Sequence, residues 1–288
     1  LSQVHHEHYI NYIREAAQKG DVWLDADTVM SPGSYDAALY AAGGAIKATE
    51  AIINGEVNSA FALVRPPGHH ATSRQAMGFC LFNNIAIAAK YALTRCECIL
   101  IIDFDVHHGN GTQEAFYTDP QVVYISIHQY PHYPGTGSTE ETGRGAAKGT
   151  TVNIPLPGGS GDTEYRQVFE QIVVPVARRF RPQLILVSAG YDAHWADQLA
   201  MMQVSTSGFA QMVKIIKALA DELCGGRLVF TLEGGYDLTA LAASVKATFE
   251  VLLGKTSIED TLGPAQNRWA TPDITALIKT IKEKHDLL

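Results

Sequence analysis

Short, nearly unbroken apolar runs rich in β-branched residues recur at Phe61–Val64, Ile99–Phe104, Val122–Ile127, Thr151–Ile154, Leu184–Ser188 and Leu228–Leu232. A strand with one face in water alternates apolar and polar residues. Runs that lack this alternation predict strands buried on both faces, as in a parallel sheet. Between them the apolar positions take helical spacing, which predicts helices at His6–Gln18, Tyr35–Ile53, Asn83–Leu93, Tyr165–Arg179, Ser207–Cys224, Leu238–Leu253 and Ile274–Lys284. Strand and helix in alternation predict an α/β fold with one doubly wound sheet and helices on both faces. No repeat or low-complexity linker interrupts the pattern, so residues 1–288 read as a single domain.

Composition narrows the function classes. Of 288 residues 46% are hydrophobic and 18% charged, a balance that excludes wholesale disorder. The net charge is -8 and no Lys/Arg-rich run is present, which argues against a direct nucleic-acid partner and mildly favours cationic ones. No apolar run nears the ~18–20 residues of a membrane span. The four cysteines, Cys80, Cys96, Cys98 and Cys224, form no C-x-x-C pair. They read as free thiols of a reducing compartment, and the expected location is cytoplasmic. The chain opens at Leu1 in helix-like sequence, so an N-terminal segment is expected to be missing. The oligomeric state is left open.

The loops carry the chemistry. Polar clusters follow Val64, Phe104, Ser188 and Leu232, each at the end of an expected strand. In open α/β sheets ligands bind outside the carboxyl ends of the strands, so four clusters meet at one edge.

Ile99–His108 reads I-L-I-I-D-F-D-V-H-H. Alternate residues of an extended strand share a face, so Asp103, Asp105 and His107 point the same way. Burying three such groups without a partner is costly, and a cation removes that cost. A catalytic zinc takes three protein ligands and keeps one open position. Asp105 and His107 supply two. The third should come from another strand end, where Asp192 and His194 both follow Leu184–Ser188, and spacing does not separate them. Nearby, His69 and His70 follow the stiff Pro66-Pro67-Gly68 turn, and Tyr236 follows Gly234-Gly235. A single histidine is more often structural, and a tyrosine after paired glycines more often a helix-cap residue. Two adjacent histidines beside a metal motif favour acid–base work.

Together these segments resemble the zinc-dependent histone deacetylase family, in its class II branch and its bacterial histone deacetylase-like amidohydrolases. The matching pieces are R-P-P-G-H-H at Arg65–His70, G-F-C-L-F-N-N at Gly78–Asn84 and D-F-D-V-H-H-G-N-G-T at Asp103–Thr112. Three more are P-G-T-G at Pro134–Gly137, S-A-G-Y-D at Ser188–Asp192 and L-E-G-G-Y at Leu232–Tyr236.

The resemblance implies the arginase-like open fold around a mostly parallel eight-stranded sheet. It implies one catalytic zinc on Asp105, His107 and Asp192, with His194 excluded. It pairs His69 with Asp103 and His70 with Asn110, and makes His70 the principal base and then acid, with His69 assisting electrostatically. Tyr236 is implied as donor to the tetrahedral oxyanion. Phe79 and Tyr133 match the aromatic walls of the family's lysine tunnel, with Gly78 and Gly234 beside the stem and Asp27 at the rim. Asp103, Asp105, His107 and Ser126 match a structural potassium site.

The implied activity is removal of acetyl or acyl groups from N-ε-acetyl-lysine in proteins or peptides. Leu199 stands where polyamine-selective relatives carry a glutamate, which weighs against the alternative, an acetylpolyamine or other small-molecule amidohydrolase. A binuclear manganese hydrolase would need carboxylates at positions 109 and 194, where the chain has Gly109 and His194. A non-catalytic acyl-lysine reader would not need His69, His70 and Tyr236 intact. Iron(II) would suit the same ligands as zinc.

Overall fold

The computed structural model describes residues 1–266 and 268–287; positions 267 and 288 of the expected 1–288 domain lie outside the described residues. In chain order the elements are α1 (Glu7–Gln18), β1 (Val22–Trp23), β2 (Val29–Met30), α2 (Ser34–Ile53), β3 (Ser59–Ala62) and α3 (Asn84–Ala92). There follow β4 (Ile99–Asp103), α4 (Asn110–Phe116), β5 (Val122–Gln129), β6 (Thr151–Leu156), α5 (Asp162–Val168) and α6 (Val174–Phe180). The last are β7 (Leu184–Ala189), α7 (Thr206–Cys224), β8 (Leu228–Leu232), α8 (Leu238–Leu252) and α9 (Thr275–Lys284).

The central sheet is parallel, with strand order β3-β8-β7-β4-β5-β6. Among the described residues it therefore has six strands, not the eight that the resemblance implied. The six match the six apolar runs. The remaining extended residues, β1 and β2, are two residues each and pair antiparallel with one another instead. Strands β4, β5, β7 and β8 are buried at every position, because helices cover both faces and leave no polar face to alternate with.

One expected helix is divided. Tyr165–Arg179 becomes α5, a π-helical turn at Phe169–Val173, and α6. Pro175 explains the break: it has no N–H for the carbonyl of Gln171, and its ring crowds that turn.

The topology fixes where the site lies. After β4 the chain adds β5 and β6 on one side, then returns with β7 and β8 on the other, so direction reverses between β4 and β7. That switch point opens a crevice beyond the carboxyl ends of the strands. Helix caps hold the loops there. Asn83 caps α3 by accepting the Ala86 N–H, and its amide donates to Thr112 Oγ1 at 3.1 Å. Asp237 caps α8 by accepting the Ala240 N–H at 2.8 Å, directly after Tyr236.

Candidate active site

Register places Asp103 of β4 opposite Ser126 of β5 and Ser188 of β7. Just beyond, Asp105, His107 and Asp192 each turn one ligand atom toward a common point, all within 4.8 Å of one another. His107 Nδ1 lies 3.1 Å from Asp105 Oδ1 and 3.1 Å from Asp192 Oδ2. The carboxylates also accept from the backbone: Gly234 N–H to Asp105 Oδ2 at 2.7 Å, His107 N–H to Asp105 Oδ1 at 2.9 Å and Val106 N–H to Asp192 Oδ1 at 2.9 Å. These fix the orientation of the carboxylates before any ion arrives.

Burial opposes charge on His107, yet the two carboxylates outweigh it and raise the imidazole to about 10. Two buried carboxylates and an imidazole gathered this closely form a donor set that a divalent cation fits. Two oxygens and one nitrogen suit zinc or iron(II). His194 is not part of this group. Its Nδ1 accepts the Ala196 N–H at 3.1 Å and its Nε2 meets Thr206 Oγ1 at 3.2 Å, so both nitrogens are engaged elsewhere.

The two histidines of the Arg65–His70 turn stand side by side, ring centroids 4.1 Å apart, in different environments. His69 Nδ1 lies 3.0 Å from Asp103 Oδ2, and its Nε2 is 3.8 Å from Asp105 Oδ1. Burial disfavours its charge, but Asp103, Asp105 and Glu233 prevail and raise it to about 10. His70 Nδ1 lies 2.8 Å from Asn110 Oδ1, whose amide nitrogen faces the His70 carbonyl and Met77. That orientation makes Nδ1 the donor and leaves Nε2 as an acceptor. Burial, with the neighbouring charges of His69 and His107, holds His70 well below the usual imidazole range. The surroundings thus favour the charged form of one histidine and the neutral form of its neighbour.

A cavity of about 260 Å³ leads to this point, lined by Asp27, His70, Gly78, Phe79, His107, Tyr133, Leu199 and Tyr236. Tyr133 meets the His70 ring edge-on at 5.1 Å, and Phe79 lies 5.7 Å from the Tyr236 ring. Gly78 has φ +55°, and a Cβ there would strike the His70 ring. Phe79 itself has φ +65°, a strained backbone for a bulky residue. Thr28 holds it by accepting the Phe79 N–H at 3.1 Å while donating to Asp27 at 3.1 Å. Tyr236 carries a phenol pushed upward by burial and by Asp192 and Asp105, so it stays a hydrogen-bond donor. Gly234 lies behind the carboxylates, its N–H committed to Asp105, and does not line the cavity.

Comparison with known proteins decides the family. The model described as "Histone deacetylase domain" matches residues 1–252. The chain belongs to the histone deacetylase family. It is 46% identical to Histone deacetylase 14, chloroplastic, of Arabidopsis thaliana over 271 residues, covering 90% of this chain and 64% of that protein. It is 48% identical to a "Probable deacetylase" of Archaeoglobus fulgidus, covering 82% of this chain and 66% of that one. With a histone deacetylase-like amidohydrolase of Pseudomonas aeruginosa it shares 41% identity, covering 91% and 70%. The crystal structure of the HDA15 HD domain superposes with a TM-score of 0.87 at 37% identity, covering 98% of this chain and 78% of that one. The chain thus spans under two thirds of the first two of these relatives.

Other groups at this site were not singled out from sequence. Glu233, fully buried, accepts the Gly68 N–H at 2.7 Å, the His69 N–H at 3.2 Å and the Ser188 hydroxyl at 3.0 Å. Burial raises its carboxyl to about 7. Arg65 donates to the Glu233 carbonyl at 2.5 Å, so the histidine turn is tied to the end of β8. An acid directly after a fully buried, mostly apolar strand was the available signal, since a buried carboxylate demands donors. Tyr124 also escaped notice; from within β5 its hydroxyl donates to Asp103 Oδ2 at 3.0 Å.

Proposed function

We propose that the protein hydrolyses the amide of N-ε-acetyl-lysine in peptides or proteins. The observation that carries this reading is the narrow aromatic cavity that ends on His70, His107 and Tyr236, with Asp105 and Asp192 behind them. Phe79 and Tyr133 would grip an extended aliphatic stem and exclude water around it. Asp105, His107 and Asp192 would hold one zinc ion. A zinc ion there, when bound, supplies Lewis-acid polarisation of the acetyl carbonyl and of a water molecule.

The chain's own residues account for the proton transfers. His70, neutral and with Nε2 free, takes the water proton and then returns a proton to the leaving amine. His69, held as an imidazolium by Asp103, contributes positive charge without moving a proton. Tyr236 donates its hydroxyl to the developing oxyanion. Gly109 supports a mononuclear centre: a side chain there would strike His69 Nδ1, Tyr124 Oη and Asp103 Oδ2. Among the described residues one group with metal-ligand geometry is found.

Asp103 and Ser126, both fully buried, would with Asp105 and His107 hold a structural potassium ion. The compartment would be a reducing one, since the four cysteines are free. Among the described residues no helix is long and apolar enough to cross a membrane, and the Arabidopsis relative is named chloroplastic.

The test is a panel of acetylated peptides and acetylputrescine, assayed with chelator and after zinc, iron(II) or potassium is restored. Turnover of acetyl-lysine peptides that is abolished by chelation supports the reading. A preference for acetylputrescine would replace the peptide by a small amine on the same chemistry.

A further inference from the structure

Asp197, in the loop after β7, is 4% exposed, and three backbone N–H groups satisfy its carboxylate. Oδ2 accepts from Tyr236 at 2.7 Å and from Asp237 at 3.0 Å. Oδ1 accepts from Leu199 at 3.0 Å. Tyr236 and Leu199 are the two cavity residues supplied by the carboxyl ends of β8 and β7. One buried anion therefore joins the loop that carries the reactive phenol to the loop that carries the rim.

We propose that Asp197 is a positioning residue for Tyr236 and Leu199, an inference that rests on the deacetylase reading above. The need for it lies in the two glycines before Tyr236. Gly235 has φ +132°, a conformation open to glycine and rarely to other residues. Such a backbone gives the tyrosine wide freedom to swing, and misplacing a catalytic donor by ~1 Å can cost about a hundredfold in rate. Asp197 removes this freedom at the first peptide after the glycines. It does so from a loop that is anchored on its own account: Asp197 N–H donates to the His194 carbonyl at 2.9 Å, and Met201 N–H donates to Gln129 at 2.8 Å. Charge-assisted bonds to backbone donors are stronger than neutral ones, and the anion can accept at both oxygens.

Asp197→Asn separates this role from simple packing, because the amide keeps the shape but turns an NH₂ group toward one of the two sets of donors. The expected result has three parts. The variant folds, and kcat on an acetyl-lysine peptide falls about tenfold or more while KM changes less. Amide hydrogen exchange accelerates in 197–201 and 233–238 but not across β4 and β5. In a Tyr236→Phe background the same substitution changes kcat by less than about twofold, since the group it positions is gone.

Equal losses in both backgrounds, or unchanged exchange in 233–238, would overturn the proposal. If Asp197→Asn does not fold, Asp197→Ser, with one hydroxyl acceptor, takes its place. Failure of both to fold also overturns it, because the carboxylate then serves the fold as a whole. If wild type does not turn over the acetyl-lysine peptide, the deacetylase reading has failed, while the exchange data still decide whether Asp197 holds the two loops.

Discussion

His69 and Asp103 meet through an oxygen that is already shared: Asp103 Oδ2 accepts from Tyr124 at 3.0 Å as well as facing His69 Nδ1 at 3.0 Å. His70 has only the amide oxygen of Asn110 in the equivalent place. The difference sets a pH prediction. In Asn110→Asp a carboxylate favours the His70 imidazolium and raises its pKa, so the base form appears at higher pH. The acid limb of the kcat/KM profile should move up by ~1–2 pH units. An unmoved limb would remove His70 from the role of base.

Tyr236→Phe deletes one hydroxyl and leaves its ring beside Phe79. The expected loss is several hundredfold in kcat, or ~3–4 kcal/mol of transition-state stabilisation. Thermal unfolding should stay close to that of wild type. Peptide turnover within a few fold of wild type would refute the oxyanion role.

Metal removal should act on the fold as well as on activity. Without a cation, Asp105 and Asp192 are two buried carboxylates sharing one imidazole. Zinc at about a hundred times its Kd stabilises the folded state by ~2.7 kcal/mol. The melting temperature should therefore drop with chelator and recover with added zinc. Identical melting curves would argue that no ion binds there.

Gly109→Ala tests how tightly the histidine relay is packed. The added methyl meets Asp103, Tyr124 and His69 together. Overpacking of this kind costs ~1–3 kcal/mol. Urea denaturation should show that loss, and kcat should fall further than the stability change alone requires. A variant of normal stability and rate would mean that the relay yields easily.

His5 gives a stability prediction far from the metal. It lies 2.8 Å from the Thr72 carbonyl through Nδ1 and accepts the Asn83 N–H at 2.9 Å through Nε2. Burial lowers its pKa from 6.5 to about 4. Above pH ~6.5 the ring is neutral whether the chain is folded or not. As pH falls from there toward about 4, the unfolded chain binds a proton that the folded one refuses, and stability is lost, by up to about 3 kcal/mol. Urea midpoints at pH 7.5 and 5.0 should differ more for wild type than for His5→Gln. Equal differences would exclude His5 as a contributor.

Much of the architecture could be read from the apolar runs, because strands buried on both faces announce themselves. Leu228–Leu232 has the expected bounds. The edge strand β3 was displaced from Phe61–Val64 to Ser59–Ala62, since a strand paired on one side is not marked by its apolar residues alone. Helix α4 was hidden because Gly109-Asn110-Gly111 reads as a turn. In the site, Asp105 and His107 followed from an alternation expected to run on along one strand, although β4 stops at Asp103 and both residues lie in the bend after it. Asp192 and His194 follow the same strand end, and contacts with Thr206 and Ala196 separate them. Glu233 and Asp197 were not legible as site residues, because most of their donors lie on other segments, up to 165 positions away.

Leu199 is held by its main chain, not its side chain. Its N–H goes to Asp197 and its carbonyl meets His132 Nε2 at 3.0 Å, while the side chain stands 46% exposed at the rim. Replacing the isobutyl group therefore removes none of the bonds that set the loop's path. A substitution at this one position reshapes the mouth of the cavity while the groups below keep their geometry, so the fold separates the part that can diversify from the part that must not.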